Sequence, residues 1–460
     1  MKKIGIILGV VLFLVALFLP ESIVADPAQK KVIAIFLLAT VLWITEPIPI
    51  YTTSVLVIFL ELMMLSDKGL SFFKEGTIIK YGDIFNNFSH PLIFLFIGGF
   101  FLASATSKYK LDMNLARVIL KPFGKKPANI MLGLMIITAI FSMFMSNTAT
   151  TAMMLSVLIP VIKSFSPTDR GKVALTLSIP LAANIGGIGT PIGTPPNAIA
   201  LKYLTGNNSI DFGEWMGFGV PYVVVMLLIS WLILLTMFKP EAESLEINLK
   251  GKFLKSWKAI VVYITFGVTI ILWLTGKLHG INSYVVAMIP VAVFSVTGVI
   301  NKKDLKGISW DVLWLVAGGF ALGMAMEKTG MSRTLVNSIP FGEMSPLVLI
   351  IVVPFFTLTM GTFMSHTVTV NLLLPIIAAL GASLSGLEAF GGSKLIILAS
   401  TMAASLAMAL PVSTPPNAIA HSTGTIETKD MMISGTIICL IGMVVMFGLM
   451  VILKSIGFFN

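Results

Sequence analysis

Cysteine is nearly absent: the 460 residues contain one, Cys439, inside an apolar run. That excludes a disulfide framework and a cysteine-based zinc site. Charge is scarce too, at 11% of residues. The four histidines, His90, His279, His366 and His421, show no metal-ligand spacing. No polar stretch is long enough for a soluble domain, since the longest, 67–89 and 239–257, have the length of loops. The glycine-rich stretch 186–193 lacks the Gly-Lys-Ser/Thr of a phosphate loop. No carboxylate pair sits at the centre of an apolar run, and Glu46 and Glu61 fall near the ends or faces of such runs. With no nucleophile–base pair and no metal cluster, the sequence does not read as an enzyme and its composition implies no cofactor.

What is present is apolar. Hydrophobic residues make up 56% of the chain, and the mean hydropathy is +0.97. A soluble core cannot use that much apolar surface, so the fold must be solvated largely by the lipid bilayer. In lipid every backbone polar group needs an internal partner, which leaves helical bundles or closed barrels. Barrel strands alternate apolar and polar residues. Here the apolar runs are continuous and of membrane-spanning length, so an all-α polytopic membrane protein is expected. The net charge of +10 reads as orientation signal and attraction to anionic headgroups, not as nucleic-acid binding. Residues 4–19, after Lys2 and Lys3, resemble a signal peptide. No small-x-small cleavage site lies near Ala25, so the run is kept as the first span.

The pattern gives eleven spans, near 4–20, 32–46, 49–66, 90–107, 173–201, 216–238, 258–275, 280–300, 309–326, 394–421 and 432–454. Two further apolar stretches, 128–165 and 345–385, are too long for one span, and each has a polar break in its middle. They are read as re-entrant hairpins with tips at Ser146-Asn147-Thr148 and Ser365-His366-Thr367. With a cytoplasmic N-terminus and an outside C-terminus, the inside loops with the bordering Lys258 hold 20 of the 31 Lys and Arg. The densest basic loop runs from Lys108 to Lys126, and its stretch 108–126 is expected to lie along the interface. Its counterpart, 327–343, is neutral, with Lys328 and Arg333 set against Glu327 and Glu343. This asymmetry is what inverted halves in an inner membrane predict. Trp215, Trp257 and Trp310 fall near span ends and read as interface anchors.

An internal repeat organises the chain. Thr194-Pro195-Pro196-Asn197-Ala198-Ile199-Ala200 recurs as Thr414-Pro415-Pro416-Asn417-Ala418-Ile419-Ala420, an offset of 220. Gly98-Gly99-Phe100 recurs as Gly318-Gly319-Phe320 at the same offset, and the hairpin tips match at 219. The implied organisation is a first span (1–31), repeat 1 (32–238), a cytoplasmic linker (239–257) and repeat 2 (258–460). Each repeat contains five spans and a hairpin, so the second enters the membrane upside down.

Two adjacent prolines remove two amide donors and break the helix, and the residue before them is pushed to extended geometry. Gly186, Gly187, Gly189 and Gly193 allow close backbone approach ahead of the first break. The product is an unwound segment with free carbonyls, which suit cations, and a helix N-terminus, which suits carboxylates. A plain proline kink is the simpler account of a lone proline. It accounts poorly for a duplicated Thr-Pro-Pro-Asn paired with a duplicated polar tip. Ser, Thr and Asn at the tips could likewise be helix–helix glue. The duplication favours a site where both tips and both breaks meet at the midplane.

At these motifs the chain resembles the divalent anion/sodium symporter family, carriers of succinate, 2-oxoglutarate, citrate and related anions, over nearly its whole length. The resemblance implies a homodimer with a scaffold part (the first four spans and 258–326) and a transport part (the hairpins, 173–238 and 394–454) that slides like an elevator. It places Asn147, Thr148, His366, Thr367, Thr194, Pro195, Ser413, Thr414 and Pro415 at the substrate. It places a first sodium ion at Ser142, Ser146, Asn147 and a carbonyl of Gly189 or Gly193. His366 stands where the family has Asn, and imidazole offers no oxygen to sodium.

The expectation is therefore a carrier of C4/C5 dicarboxylates (succinate, 2-oxoglutarate, malate, fumarate) working as an exchanger, with His366 serving the substrate carboxylate in place of an ion. The alternative is sodium-coupled symport of di- or tricarboxylates through the intact first site. An anion channel or a sulfate carrier fits less well. Polar residues concentrate at the midplane instead of lining a continuous path, and no arginine lies near the motifs.

Overall fold

The computed structural model describes residues 2–73, 75–76, 79–162, 165–166, 168–245, 252–338 and 344–459. Glu343 of the neutral loop and 246–251 of the linker lie outside the described residues. Among those described there is no β-strand, only one isolated bridge between Ser66 and Ile79. The first half comprises α1 (Lys2–Leu17), α2 (Pro27–Thr45), α3 (Ile50–Met64), α4 (Tyr81–Asn86), α5 (Pro91–Lys108), α6 (Leu111–Leu120), α7 (Pro127–Ser142), α8 (Asn147–Ile162), α9 (Gly171–Gly187), α10 (Pro195–Tyr203) and α11 (Phe212–Met237). After the linker come α12 (Trp257–Leu274), α13 (Gly276–His279), α14 (Ser283–Val286), α15 (Met288–Val296), α16 (Lys302–Leu305), α17 (Trp310–Lys328), α18 (Met331–Asn337), α19 (Pro346–Phe363), α20 (His366–Ser383), α21 (Gly392–Leu406), α22 (Pro415–Ser422) and α23 (Thr428–Ser455).

The fold is the all-helical, polytopic membrane type the composition dictates. Among the described residues, eight helical stretches are long and apolar enough to cross a membrane, and shorter apolar helices accompany them. Sidedness is inverted relative to a soluble protein. On α12 the outward side chains Ile260, Ile264 and Ile271 are apolar, while Thr265 and Thr269 face inward. With hydrocarbon outside, burial gains little for Ile, and a hydroxyl is better placed where it can bond its own helix. Thr269 does so, donating to the Thr265 carbonyl at 2.7 Å.

Several sequence readings are corrected. The span expected at 280–300 is interrupted at Ala287, between α14 and α15. Trp215 is not an interface anchor but is wholly buried, whereas Trp257 and Trp310 are 59% and 44% exposed. Glu61 stands in the last turn of α3, near its end as expected, but on no open face: it too is wholly buried. The arms of the second hairpin, α19 and α20, are 18 residues each, about 27 Å of helix apiece. Each is therefore as long as a span.

The two halves interlock. α7 packs on α9 and α19 on α21, so each hairpin leans on the broken helix of its own half. α10 crosses to pack on α20, and α22 crosses to α8 and α9. The repeated Gly-Gly pair explains how α5 and α17 come so close to their neighbours. A Cβ on Gly98 would stand 2.4 Å from the Ala287 carbonyl oxygen, and one on Gly318 2.4 Å from Ser54 Cβ. Replacing Gly318 with Ala must force the backbones of α17 and α3 apart, at about 1–3 kcal/mol. Thermal unfolding of purified protein should show Gly318→Ala melting lower than the parent. Gly267→Ala, where a Cβ meets nothing within 4 Å, should melt no lower.

Candidate functional site

Both breaks form where the sequence places them. Thr194 and Thr414 are extended, at φ −146°, ψ 144° and φ −144°, ψ 148°, and α10 and α22 begin at the prolines that follow. The unwound turns leave carbonyls without helical donors, and burying those unpaired would be costly. The asparagine of each motif answers this. Asn197 Nδ2 donates to the carbonyls of Gly187 (3.0 Å) and Thr190 (2.9 Å), and lies 3.3 Å from that of Ile188. Asn417 Nδ2 donates to those of Met408 (2.8 Å) and Leu410 (3.0 Å). Trp215 adds its indole N–H to the Ile188 carbonyl at 2.9 Å. Asn184 ties the halves together, donating from Nδ2 to Thr414 Oγ1 and Asn417 Oδ1, both at 3.1 Å. Sequence reasoning saw the prolines but missed these amide and indole donors.

Between the breaks and the tips lies a cavity of about 630 Å³. All nine residues expected at the substrate line it: Asn147, Thr148, His366, Thr367, Thr194, Pro195, Ser413, Thr414 and Pro415. Its mouth is formed by Ile50 and Tyr51 at the start of α3 and by Ser309 and Asp311 at the start of α17. It therefore opens on the side of loops 47–48 and 301–308. Four helices begin at its wall, α8 at Asn147, α10 at Pro195, α20 at His366 and α22 at Pro415. Each N-terminus brings about half a positive charge, but backbone amides can be offered only by α8 and α20, because α10 and α22 open on two prolines without N–H groups and the amides of Asn197 and Asn417 bond back to the Thr194 carbonyl and Thr414 Oγ1. The lining contains no Lys or Arg, and its one carboxylate is Asp311. An anion is thus met by amides, hydroxyls and helix ends.

The residues expected to hold a first cation are only partly gathered. Ser142 Oγ lies 2.5 Å from Asn147 Oδ1 and 2.7 Å from the Ala183 carbonyl oxygen. Three oxygens with one proton among them converge there, a donor set that fits a hard monovalent cation such as sodium. Gly187 leaves room beside them. A Cβ on Gly187 would stand 2.9 and 3.0 Å from the Asn147 amide and 3.1 Å from the Gly193 carbonyl oxygen. Gly193 is therefore beside Asn147, and Ser146 lines the cavity. Gly189 is placed elsewhere, its carbonyl 3.0 Å from where a Cβ on Gly219 of α11 would lie. The Ala183 carbonyl was not foreseen, because nothing in a side-chain pattern marks a backbone oxygen.

The second half differs. Gly361, at the position of Ser142 by the tips' offset of 219, offers no side-chain oxygen, and the neighbouring Thr362 donates to the Leu358 carbonyl of its own helix at 2.9 Å. His366 Nε2 lies 2.6 Å from the carbonyl oxygen of Ala407, the counterpart of Gly187. A carbonyl only accepts, so Nε2 carries the proton. A neutral His366 has thereby spent its one N–H, and only its imidazolium could donate from Nδ1. Ser413 Oγ donates to the Thr362 carbonyl at 2.7 Å, closing this half with protein contacts.

Unwound breaks, paired hairpins and an amide-lined cavity inside a lipid-solvated bundle define a secondary transporter. Residues 40–392 match the model of the citrate transporter family. The chain is 31% identical over 96% of its length to the sodium-dependent dicarboxylate transporter SdcS of Staphylococcus saprophyticus, covering 90% of that protein. It is 30% identical over 94% of its length to the sodium-dependent high-affinity dicarboxylate transporter 3 of Caenorhabditis elegans, covering 84% of it. The fold resembles the Alcanivorax borkumensis YdaH transporter at a TM-score of 0.59 and 13% identity, over 94% of this chain and 98% of that one. The chain belongs to the divalent anion/sodium symporter family, and it is a transporter, not an enzyme.

The role given to the motif asparagines is testable with one pair of variants. Asn417→Ala leaves the carbonyls of Met408 and Leu410 without donors and should destabilise the purified protein by about 1–3 kcal/mol. Asn417→Asp keeps the shape but cannot donate when ionised, so it should fail to rescue. Melting curves of the two variants decide this.

Proposed function

We propose that this chain carries C4/C5 dicarboxylates such as succinate, 2-oxoglutarate, malate and fumarate across the inner membrane, with uptake coupled to sodium bound in its first half. The observation that carries the reading is electrostatic. Four helix N-termini converge on a cavity that contains no Lys or Arg and one carboxylate. Helix ends attract carboxylates but do not neutralise a buried dianion. The missing positive charge must arrive with the substrate, and the oxygens of Ser142, Asn147 and Ala183 suit a sodium ion. Relatives named as sodium-dependent dicarboxylate transporters support this reading. It displaces exchange as the leading expectation.

Exchange remains the second reading, on one observation. His366 occupies the equivalent place in the second half, with Nε2 committed to Ala407. Protonated, it would supply from Nδ1 the charge that a second ion supplies elsewhere. In either case the protein works as a homodimer of scaffold and sliding transport parts in an elevator cycle. Its N-terminus is cytoplasmic, so the cavity opens inward.

Two measurements separate the readings. Purified protein is reconstituted in liposomes, empty or loaded with succinate, and uptake of labelled succinate and 2-oxoglutarate is followed with and without a sodium gradient. Sodium-driven uptake into empty vesicles is expected; uptake that needs internal dicarboxylate and ignores sodium would establish exchange. Ser142→Ala should raise the sodium concentration for half-maximal uptake by about tenfold, near 1.4 kcal/mol. An unchanged sodium response in that variant would remove the first half as the ion site.

A further inference from the structure

The first turn of α11 is built by its cap. Asp211 Oδ1 accepts from the Glu214 N–H at 2.7 Å, and Glu214 Oε2 accepts from the Asp211 N–H at 2.9 Å. This reciprocal box fixes the Glu214 carboxylate. Its other oxygen, Oε1, meets Lys277 Nζ of α13 at 2.7 Å. Beside that pair the Phe212 ring stacks on Trp273, in the last turn of α12, with centroids 4.5 Å apart and planes 10° apart. The Trp273 indole N–H donates to the Ser283 carbonyl at 3.1 Å, which sets the plane of its ring. Both rings are buried. Gly213 completes the fit, because a Cβ there would stand 3.0 Å from the Leu274 carbonyl oxygen.

The place of this contact in the fold gives it meaning. α11 packs chiefly on α7, α9 and α23, elements of the transport part that the family resemblance implies. Its first turn meets α12 and α13, which fall in the scaffold part. The contact lies on the face opposite the cavity mouth, since α14 and α15 separate 275–282 from 301–308. Asp211, Phe212, Trp273 and Lys277 also line a second cavity, of about 580 Å³. The contact therefore borders open space and can part without leaving a void in close-packed side chains. In repeat 2 the first turn of α23 is pinned elsewhere, where Asp430 meets Arg170 of the 163–172 loop at 2.6 Å.

We propose that Phe212, Glu214, Trp273 and Lys277 are positioning residues, a clasp on the outer face that holds the transport part against the scaffold while the first cavity is open inward. The inference rests on the elevator reading above: where the two parts slide, a contact between α11 and α12 cannot persist through the cycle, and each turnover has to open it. Its components act unequally. The ion pair is exposed, Lys277 at 70%, and contributes little. The buried stack of Phe212 on Trp273 carries the contact. One stack and one weak pair favour an orientation without fixing it.

The test locks the clasp reversibly. The full chain with Cys439→Ala carries Glu214→Cys and Lys277→Cys, and a short bis-methanethiosulfonate reagent bridges the two thiols in detergent before reconstitution; dithiothreitol removes the bridge. Bridging is read by mass, succinate affinity in detergent, and initial succinate uptake in liposomes. The unbridged protein should take up succinate within about threefold of the parent, because an exposed pair contributes little. Bridging should cut uptake by at least about tenfold with affinity changed less than about threefold, and reduction should restore uptake. Each single cysteine treated with the reagent should keep the uptake of its untreated form. Bridged protein that carries succinate at the unbridged rate, a pair that does not bridge, or an equal loss in the single-cysteine proteins would overturn the clasp. So would a loss of affinity that matches the loss of uptake. A parent that takes up no succinate under any gradient would defeat the carrier reading itself, and the clasp would fall with it.

Discussion

The structure turns on how a membrane helix can be broken without leaving its backbone unpaired. Two prolines stop α9–α10 and α21–α22 inside the bundle, and each stop releases carbonyls that no water can satisfy. Asn197 and Asn417, one residue beyond the prolines, return their amides to those carbonyls. The second half-helix can then start inside the bundle with its N-terminal end at a cavity. Without that return the prolines would produce only a kink. The seven-residue identity between the halves is thus explained mechanically: Thr sets the extended entry, the prolines end the helix, and Asn caps what they expose.

From this follows the character of the cavity. Its walls are backbone ends and hydroxyls, which orient a carboxylate without binding it irreversibly. A lysine or arginine in the wall would bind a dianion more tightly, but it would travel with the empty carrier as an uncompensated charge. On the proposed sodium-coupled reading, leaving the charge to a mobile ion would let loaded and empty states differ in what they carry while the protein stays the same. On the exchange reading, His366 would be an intermediate solution, with a charge absent when the site is empty and present when it is loaded.

How much of this was legible in the sequence depends on whether the signal was local. The breaks, the tips and the offset of 220 were visible because Pro-Pro-Asn and Ser-Asn-Thr carry their geometry within a few residues. All nine residues expected at the substrate line one cavity for the same reason. What was missed is non-local. The Ala183 carbonyl, which accepts from Ser142, the Asn184 amide, which reaches Thr414 Oγ1 and Asn417 Oδ1, and the Trp215 indole, which reaches the Ile188 carbonyl, act across tens to hundreds of residues, a separation that no local pattern marks. Trp215 was misread because its distance from a span end looked like an interface position, whereas the break it serves lies close by in space. The interruption at Ala287 falls in a uniformly apolar stretch, where hydropathy has no contrast to show it.

The repeat gives two equivalent frames, and the side chains placed on them then diverge. Ser142 opposes Gly361, Asn147 opposes His366, and Gly187 opposes Ala407. In the first half the substitutions leave oxygens converging and room beside them; in the second, the same space is closed by the imidazole and by Ser413. A symmetric frame is enough for alternating access, because the two orientations need only be of similar energy. A symmetric site would gain nothing for an asymmetric task. On the proposed sodium-coupled reading the ion is held by one set of groups and the anion by another, and each frame can change without unfolding its partner because each break is satisfied mainly by its own asparagine. Duplication therefore supplies the motion, while the divergence between the halves supplies the chemistry.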